Sequence, residues 1–396
     1  MDIKSSSNIK YFLLLIFLVF NSFSVSTSIG VNYSNDAGID KDKEEKLPVY
    51  PSSVTQNISI KLDSVFERVN KRHDFHGSVL VAKNGKMIFT KEYGYADFKK
   101  KSKLDKNSSF QLASVSKQFT ATAIMILAER GMIDLDDHIT KYYTDFPYEK
   151  ITVRQLLNHT SGLPKYFWLA EHKWNKDHTP VNSEMLDLLS EHNLPLFFRP
   201  GRVFDYSNTG YFVLASLVEK VTGEDYGDFL EKNIFKPLDM KHSFVYRFET
   251  DSIGENQLSG YRIYRRRYHI KISGTVNDGI VGDKNVFSTS EDLFKWINGL
   301  NSGRIISQES LNQMYTNGQT SYGRDVPYGF GFRIENTDSD KIIFHNGKWN
   351  GFSTSIKQYT NSDIVVIILE HSKYSSMNHL SKTVKTLVEE NFQENI

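Results

Sequence analysis

The sequence predicts an α+β fold: one antiparallel sheet covered by terminal helices, with a mostly helical lobe inserted into it. Three observations carry this. Early in the chain Ser78–Ala82 and Met87–Thr90 flank Asn84-Gly85, the dipeptide best suited to a tight hairpin turn. Late in the chain Ile342–Phe344, Phe352–Ile356 and Ile364–Leu369 are short apolar or alternating runs, separated by turns that bear Asn and Gly. Between these groups the apolar spacing becomes helical, in Val153–His159, Ser183–His192 and Tyr211–Thr222, the last closed by Gly223 as a C-terminal cap.

Taken in order, the chain opens with Lys4 and Lys10 ahead of the apolar run Tyr11–Phe20, followed by small polar residues from Ser22 to Ser28. Residues 1–28 therefore read as an export signal, because the run is short for a bilayer span. An uncleaved tether is the alternative. The expected location is outside the cytoplasm, periplasmic or extracellular. Residues 29–57 are polar, with a charge cluster from Asp40 to Lys46, and read as a flexible leader. The folded domain is placed at 58–396, starting with an amphipathic helix through Ile60, Leu62, Val65, Phe66 and Val69. Its sheet lobe is expected from 58–113 and 278–396, its helical lobe from 114–277, and a last helix from Ser375 to Asn391.

Bulk properties narrow the function. The 396 residues are 39% hydrophobic and 13% aromatic, enough for a sizeable core. The net charge is +1, and removing Asp2, Lys4 and Lys10 with the signal brings it to 0, so no basic footprint for nucleic acid exists. Cysteine is absent, which excludes disulfides, thiol chemistry and a lipid-modified N-terminal cysteine.

Three segments carry candidate chemistry. Ser114-Val115-Ser116-Lys117 opens a strongly apolar helical run, so a hydroxyl and an amine share one helix face. Serine is a weak nucleophile until a base takes its proton, and a desolvated lysine can do so. The ordinary alternative is a capping serine and a lysine that reaches solvent. Tyr206-Ser207-Asn208 could place a phenol and an amide beside that amine, or be a surface turn. His345-Asn346-Gly347, before Lys348-Trp349-Asn350-Gly351, could bring a strand backbone close to a ligand, or be a plain hairpin.

Together these segments resemble the motif set of the class C β-lactamase branch of the serine β-lactamase and penicillin-binding protein superfamily. The resemblance runs from about residue 60 to 370 and includes Phe110–Ala121, Ile151–Leu163, Phe204–Tyr211 and Phe287–Trp296. It implies a β-lactamase/transpeptidase-like fold and a serine hydrolase working through an acyl-enzyme on an amide or ester. The implied substrate is a small molecule or peptide, a D-amino-acid-containing or cell-wall (peptidoglycan) one above all. Ser114 would be the nucleophile, Lys117 its base and Tyr206 a partner in the proton relay. Asn208 would orient Lys117 or the substrate, His345 and Gly347 would line the site, and the amides of Ser114 and Lys348 would hold the oxyanion. One departure stands out: many relatives have Lys-Thr-Gly where this chain has His345-Asn346-Gly347, as D-aminopeptidases and alkaline D-peptidases do. A histidine is mostly neutral at pH 7, which counts against efficient β-lactam turnover and strict carboxypeptidase action. A β-lactamase, a carboxylesterase and a non-hydrolytic penicillin-binding sensor remain the alternatives.

No cofactor or metal is expected: His73 and His76 are spaced i, i+3 without a completing ligand set. His159 is expected to be structural, and Arg265-Arg266-Arg267 a solvated edge. Tyr166, Phe167, Trp168 and Trp349 could pack in the core or border the cleft. Oligomeric state is left open.

Overall fold

A computed structural model describes residues 47–392 apart from 249, 266, 267, 373 and 375. The expected signal at 1–28, the leader as far as residue 46, Arg266, Arg267 and Ser375 lie outside the described residues. Folded structure begins earlier than Ile58. Helix α1 spans Ser52–His73, so residues 52–57 are helical rather than part of the leader, and Val49 already bridges to Met87. Buried Thr55 and Ile58 extend the apolar stripe toward the N-terminus and hold this first turn.

The main sheet has six strands: β1 (Gly77–Lys83), β2 (Lys86–Tyr93), β8 (Arg333–Asn336), β9 (Lys341–Trp349), β10 (Phe352–Tyr359) and β11 (Ile364–Glu370). Their order is β8-β9-β10-β11-β1-β2, all antiparallel. The two chain ends do meet as expected, with Gly77 opposite Glu370 and Lys83 opposite Ile364. Asn84-Gly85 and Asn350-Gly351 both form two-residue turns with positive φ at each position (48° and 67°, 44° and 90°), which is why these dipeptides occupy them.

Alternation along the strands decides which layer each residue joins. Val79, Val81, Val366 and Ile368 face α1 and α10 (Met377–Asn391), packing on Leu62, Phe66, Val384 and Val388. Leu80, Ala82, Ile367 and Leu369 face the opposite way, into the core shared with α8 (Ser290–Asn301) and the helical lobe. Central strands buried on both sides read as continuous apolar runs, which is the pattern of Ile364–Leu369.

The inserted lobe contains α2 (Lys117–Glu129), α3 (Val153–Leu157), α4 (Tyr166–His172), α5 (Asn182–His192), α6 (Asn208–Thr222) and α7 (Tyr226–Leu230). It is mostly helical, with a few short strands in it and at its borders. β3 (Phe110–Gln111), β7 (Val286–Ser288) and β4 (Phe244–Val245) form a small sheet in that order, and β5 (Tyr261–Tyr264) pairs with β6 (Tyr268–Lys271). These strands are too short for a period of two to declare itself. α9 (Gln308–Met314) packs beside α2 and α8. α2 is buried from Lys117 through Leu127 and forms the axis of the lobe.

Phe66 is fully buried between α1 and the sheet, stacked 5.7 Å from Tyr93 and 6.5 Å from Phe89. Phe66→Ala is expected to lower unfolding free energy by about 3–5 kcal/mol in a denaturant titration.

Candidate active site

Ser114 lies in a single 3-10 turn, Ala113–Ser116, and the α-helix proper starts at Lys117. This corrects the expectation of a helix beginning at Ser114, and no side-chain cap is made there. The turn is held against β9 and β10 from several sides. Thr354 Oγ1 donates to the Leu112 carbonyl at 2.7 Å, and Leu112 N–H donates to Val286 O at 2.8 Å. Val286 N–H donates to Ser116 Oγ at 3.1 Å. Ala113 is forced to φ 50°, a left-handed conformation that costs a β-carbon-bearing residue about 1–3 kcal/mol. Gly347 makes the approach feasible, because a Cβ on it would fall 2.1 Å from Leu112 O and 2.4 Å from Thr354 Oγ1. What comes close to the Gly347 backbone is thus the turn that delivers the nucleophile.

Lys117 is fully buried. Its Nζ lies 2.8 Å from Asn208 Oδ1, 2.9 Å from the Asp283 carbonyl and 3.3 Å from Ser114 Oγ. The first two partners only accept hydrogen bonds. A neutral amine satisfies both with its two hydrogens and turns its lone pair to the serine hydroxyl. Burial is the main cause that lowers the Lys117 pKa from 10.5 to about 8, against the Asp283 carboxylate, which raises it, and with Arg333, which lowers it. The site therefore contains a nucleophile and a base in contact.

Asn208 is the first residue of α6, and Ser207 caps that helix by accepting from Gly210 N–H at 3.4 Å. This cap turns the chain so that Tyr206 and Asn208 flank Lys117, with the amine 5.1 Å from the Tyr206 ring centre. His159, at φ 60°, fixes the same turn: its Nδ1 accepts from Ser207 N–H at 3.1 Å and its carbonyl from Asp205 N–H at 2.9 Å. Its ring is enclosed by Tyr206, Tyr211 and Tyr328, in line with the structural role expected of it.

His345 sits in β9 and is buried. Its Nδ1 faces the Asn346 carbonyl at 2.8 Å, which assigns the proton to Nδ1 and leaves Nε2 as an acceptor. Nε2 accepts from Tyr328 Oη–H at 3.0 Å and faces Tyr206 Oη at 3.5 Å. Burial, Lys117 and Arg333 push the His345 pKa well below 6.5, so the third motif presents a neutral acceptor. Burial likewise pushes the Tyr206 phenol upward, which keeps it protonated at neutral pH.

The hairpin register places the remaining backbone. Trp349 opposite Phe352 closes a two-residue turn and is a hydrogen-bonded pair, so Lys348 opposite Ser353 is a non-hydrogen-bonded one. The Lys348 N–H accordingly points away from β10, toward the other edge. There β8 pairs only with 341–344, and the stretch from His345 to Trp349 is left open beside Ser114. Ser114 N–H, among the first amides of its turn, has no acceptor within it. A cleft of about 280 Å³ opens here, bordered by Ser114, Tyr206, Lys348 and Arg333.

All seven sequence-derived residues, Ser114, Lys117, Tyr206, Asn208, His345, Gly347 and Lys348, converge on one place. Sequence reasoning missed Arg333, whose guanidinium lies 4.9 Å from the Tyr206 ring centre, as well as Tyr328, Asp283 and Lys284. No motif surrounds these four, and only strand pairing and a buried loop bring them in. Phe167 and Trp349 pack on each other at 5.3 Å, Tyr166 is buried, and Trp168 is exposed against His172.

His76 meets a carboxylate after all: Asp74, which also pairs with His269. His76 Nδ1 accepts from Tyr95 N–H at 3.1 Å, so Nε2 carries the proton and donates it to Asp74 at 2.8 Å. A nitrogen committed as a donor is not a metal ligand, and the cluster is a hydrogen-bonded tie between α1 and β6.

Gly347→Ala would push the nucleophile turn off β9. The expected result is a loss of about 1–3 kcal/mol of stability and roughly hundredfold slower labelling of Ser114 by a fluorophosphonate probe.

A family model described as Beta-lactamase matches residues 62–388. Penicillin-binding protein 4* of Bacillus subtilis (strain 168) is 34% identical over 329 residues, spanning 80% of this chain and 73% of that protein. Protein flp of Staphylococcus aureus (strain MW2) is 28% identical over 354 residues, or 82% and 68% of the two chains. Among solved structures, the D-amino acid amidase from Ochrobactrum anthropi SV3 complexed with L-phenylalanine amide superposes with a TM-score of 0.70 at 26% identity, covering 86% and 99%. The octameric penicillin-binding protein homologue from Pyrococcus abyssi gives 0.72 at 26% identity, covering 84% and 77%. With a nucleophile, a base and an open strand edge arranged as described, the chain belongs to the beta-lactamase family and is a serine hydrolase of its class C type.

Proposed function

We propose that this hydrolase is exported and cleaves an amide or ester in a D-amino-acid-containing peptide that carries a free carboxylate, of the kind found in cell-wall material. Ser114 gives its proton to Lys117 as Oγ bonds to the carbonyl carbon, and the oxyanion is held by the amides of Ser114 and Lys348. The C–N or C–O bond then breaks as the proton passes to the leaving group, and water releases the acyl group from Ser114. The similarity to a D-amino acid amidase and to penicillin-binding proteins supports the substrate class. Export rests on Lys4, Lys10 and the apolar run that follows them.

Arg333 is the observation that carries the carboxylate. Histidine leaves the first position of the third motif without a cation, but Arg333 on β8 and Lys348 further along β9 border the same cleft, and of the two only Arg333 has a guanidinium. A guanidinium binds a carboxylate through paired N–H donors. Among the described residues bordering the cleft there is no aspartate or glutamate to receive a substrate ammonium group. The cleft thus favours an acylated, carboxylate-bearing peptide over a free amino-acid amide.

The kcat/KM for a small aryl ester should rise with pH through a midpoint near 8, as Lys117 gives up its proton. Below that midpoint the amine is charged and has no lone pair for Ser114. A wild-type profile flat from pH 6 to 10, or equal rates for Ser114→Ala and wild type, would refute the assignment. Arg333→Gln is expected to cut kcat/KM about tenfold to hundredfold on a carboxylate-terminated D-peptide, mostly through KM. Compared at pH 10, above the Lys117 midpoint, the same change should leave the neutral amide of that peptide little affected, and equal losses on both would remove Arg333 from substrate binding.

A further inference from the structure

Behind Lys117 the structure buries a second lysine that the reaction does not touch. Lys284 lies in the loop 278–286, which is buried throughout and hands the Asp283 carbonyl to Lys117. Lys284 Nζ is 2.8 Å from Tyr166 Oη, 2.9 Å from the Ile280 carbonyl and 3.4 Å from Asp283 Oδ1. Tyr166 Oη–H donates to the other oxygen of that carboxylate at 3.0 Å, so toward Lys284 it is an acceptor. Three acceptors around one nitrogen match the three hydrogens of an ammonium. Lys117 has only two pure acceptors and a hydroxyl. One buried carboxylate lies beside two buried amines, and the count of acceptors tells which amine holds the charge.

We propose that Lys284 is a positioning residue for the proton transfer at Ser114: a fixed buried ammonium that takes up the charge of Asp283 and so leaves Lys117 as the neutral amine. This rests on the acyl-enzyme reading above. Without Lys284, the Asp283 carboxylate would have Lys117 as its nearest cation and would hold the proton there. The pairing also has a mechanical side, since Lys284 and Tyr166 anchor both carboxylate oxygens of the residue whose carbonyl orients Lys117. Burial lowers the Lys284 pKa from its ordinary 10.5, against the Asp283 and Asp278 carboxylates, which raise it, and with Lys117, which lowers it. The other groups facing Lys117 are ill suited to the task. Tyr206, Tyr211, His159 and His345 are kept neutral by burial, and Arg333, a fixed cation, borders the open cleft. Asp278 is occupied with Trp349 Nε1 and Asn350 Nδ2.

The test measures kcat/KM for p-nitrophenyl acetate against pH, with thermal melting of each protein. The proteins are wild type, Ser114→Ala, Lys284→Met, Asp283→Asn and the double variant Asp283→Asn/Lys284→Met. Lys284→Met should move the rising limb upward by about one pH unit or more, a loss of roughly tenfold at neutral pH that is recovered in alkali. Asp283→Asn, which keeps the carbonyl, should move it downward, and the double variant should return it near the wild-type position. A Lys284→Met rate reduced by one factor at every pH, with the limb unmoved, would overturn the proposal and leave Lys284 a packing residue. Should Lys284→Met show no folded transition, Lys284→Gln decides: an upward limb supports the assignment and an unmoved one overturns it. Wild-type turnover no faster than Ser114→Ala would instead bring down the acyl-enzyme reading, and this proposal with it.

Discussion

Everything at this site depends on the three contacts of one amine. Lys117 Nζ is bounded by the Asn208 side-chain oxygen, the Asp283 carbonyl and the Ser114 hydroxyl, and only the last can give a proton. Desolvation makes the uncharged state accessible, and the two fixed acceptors choose which way its lone pair points. Each contact comes from a different part of the chain: the turn before α2, the first residue of α6 and the loop 278–286. The helical lobe and the sheet lobe are in this sense two arms of one coordination sphere, and neither holds the base by itself.

A second constraint is steric. The turn that carries Ser114 has to lie close against β9, with Leu112 O beside the Gly347 backbone. The chain achieves this by omitting a side chain at Gly347 and by accepting a left-handed Ala113. Strain of this kind persists where surrounding bonds over-determine it, and the bonds through Thr354, Val286 and Ser116 do so here. The fold, with both chain ends joined at β1 and β11, provides the rigid backing.

Electrostatically the site separates fixed charge from movable charge. His345 is neutral, locked as an acceptor by the Asn346 carbonyl, and shared between Tyr328 and Tyr206. The positive charge on the cleft is carried instead by Arg333 on the neighbouring strand and by Lys348. Exchanging a cation for an acceptor within the third motif alters what Tyr206 can do, because a neutral neighbour does not stabilise a phenolate.

Much of this was legible in the primary structure. Ser114 and Lys117 are local neighbours, a relation that any helical turn preserves, and Asn84-Gly85 states its turn through the left-handed backbone those residues tolerate. The apolar runs at the two ends announced a sheet, and the motif set pointed to Tyr206, Asn208 and His345 through resemblance. The sequence did not disclose where helix α1 begins, that Ser114 sits in a 3-10 turn, or that Arg333, Tyr328, Asp283 and Lys284 reach the site. Those facts follow from strand register, from which edge of β9 stays unpaired and from a loop threaded through the core. Local chemistry is written along the chain because neighbours in sequence share a turn. A charge on a distant strand acquires meaning only when packing fixes its distance, so the tertiary structure alone decided which buried amine is charged and which is free to act.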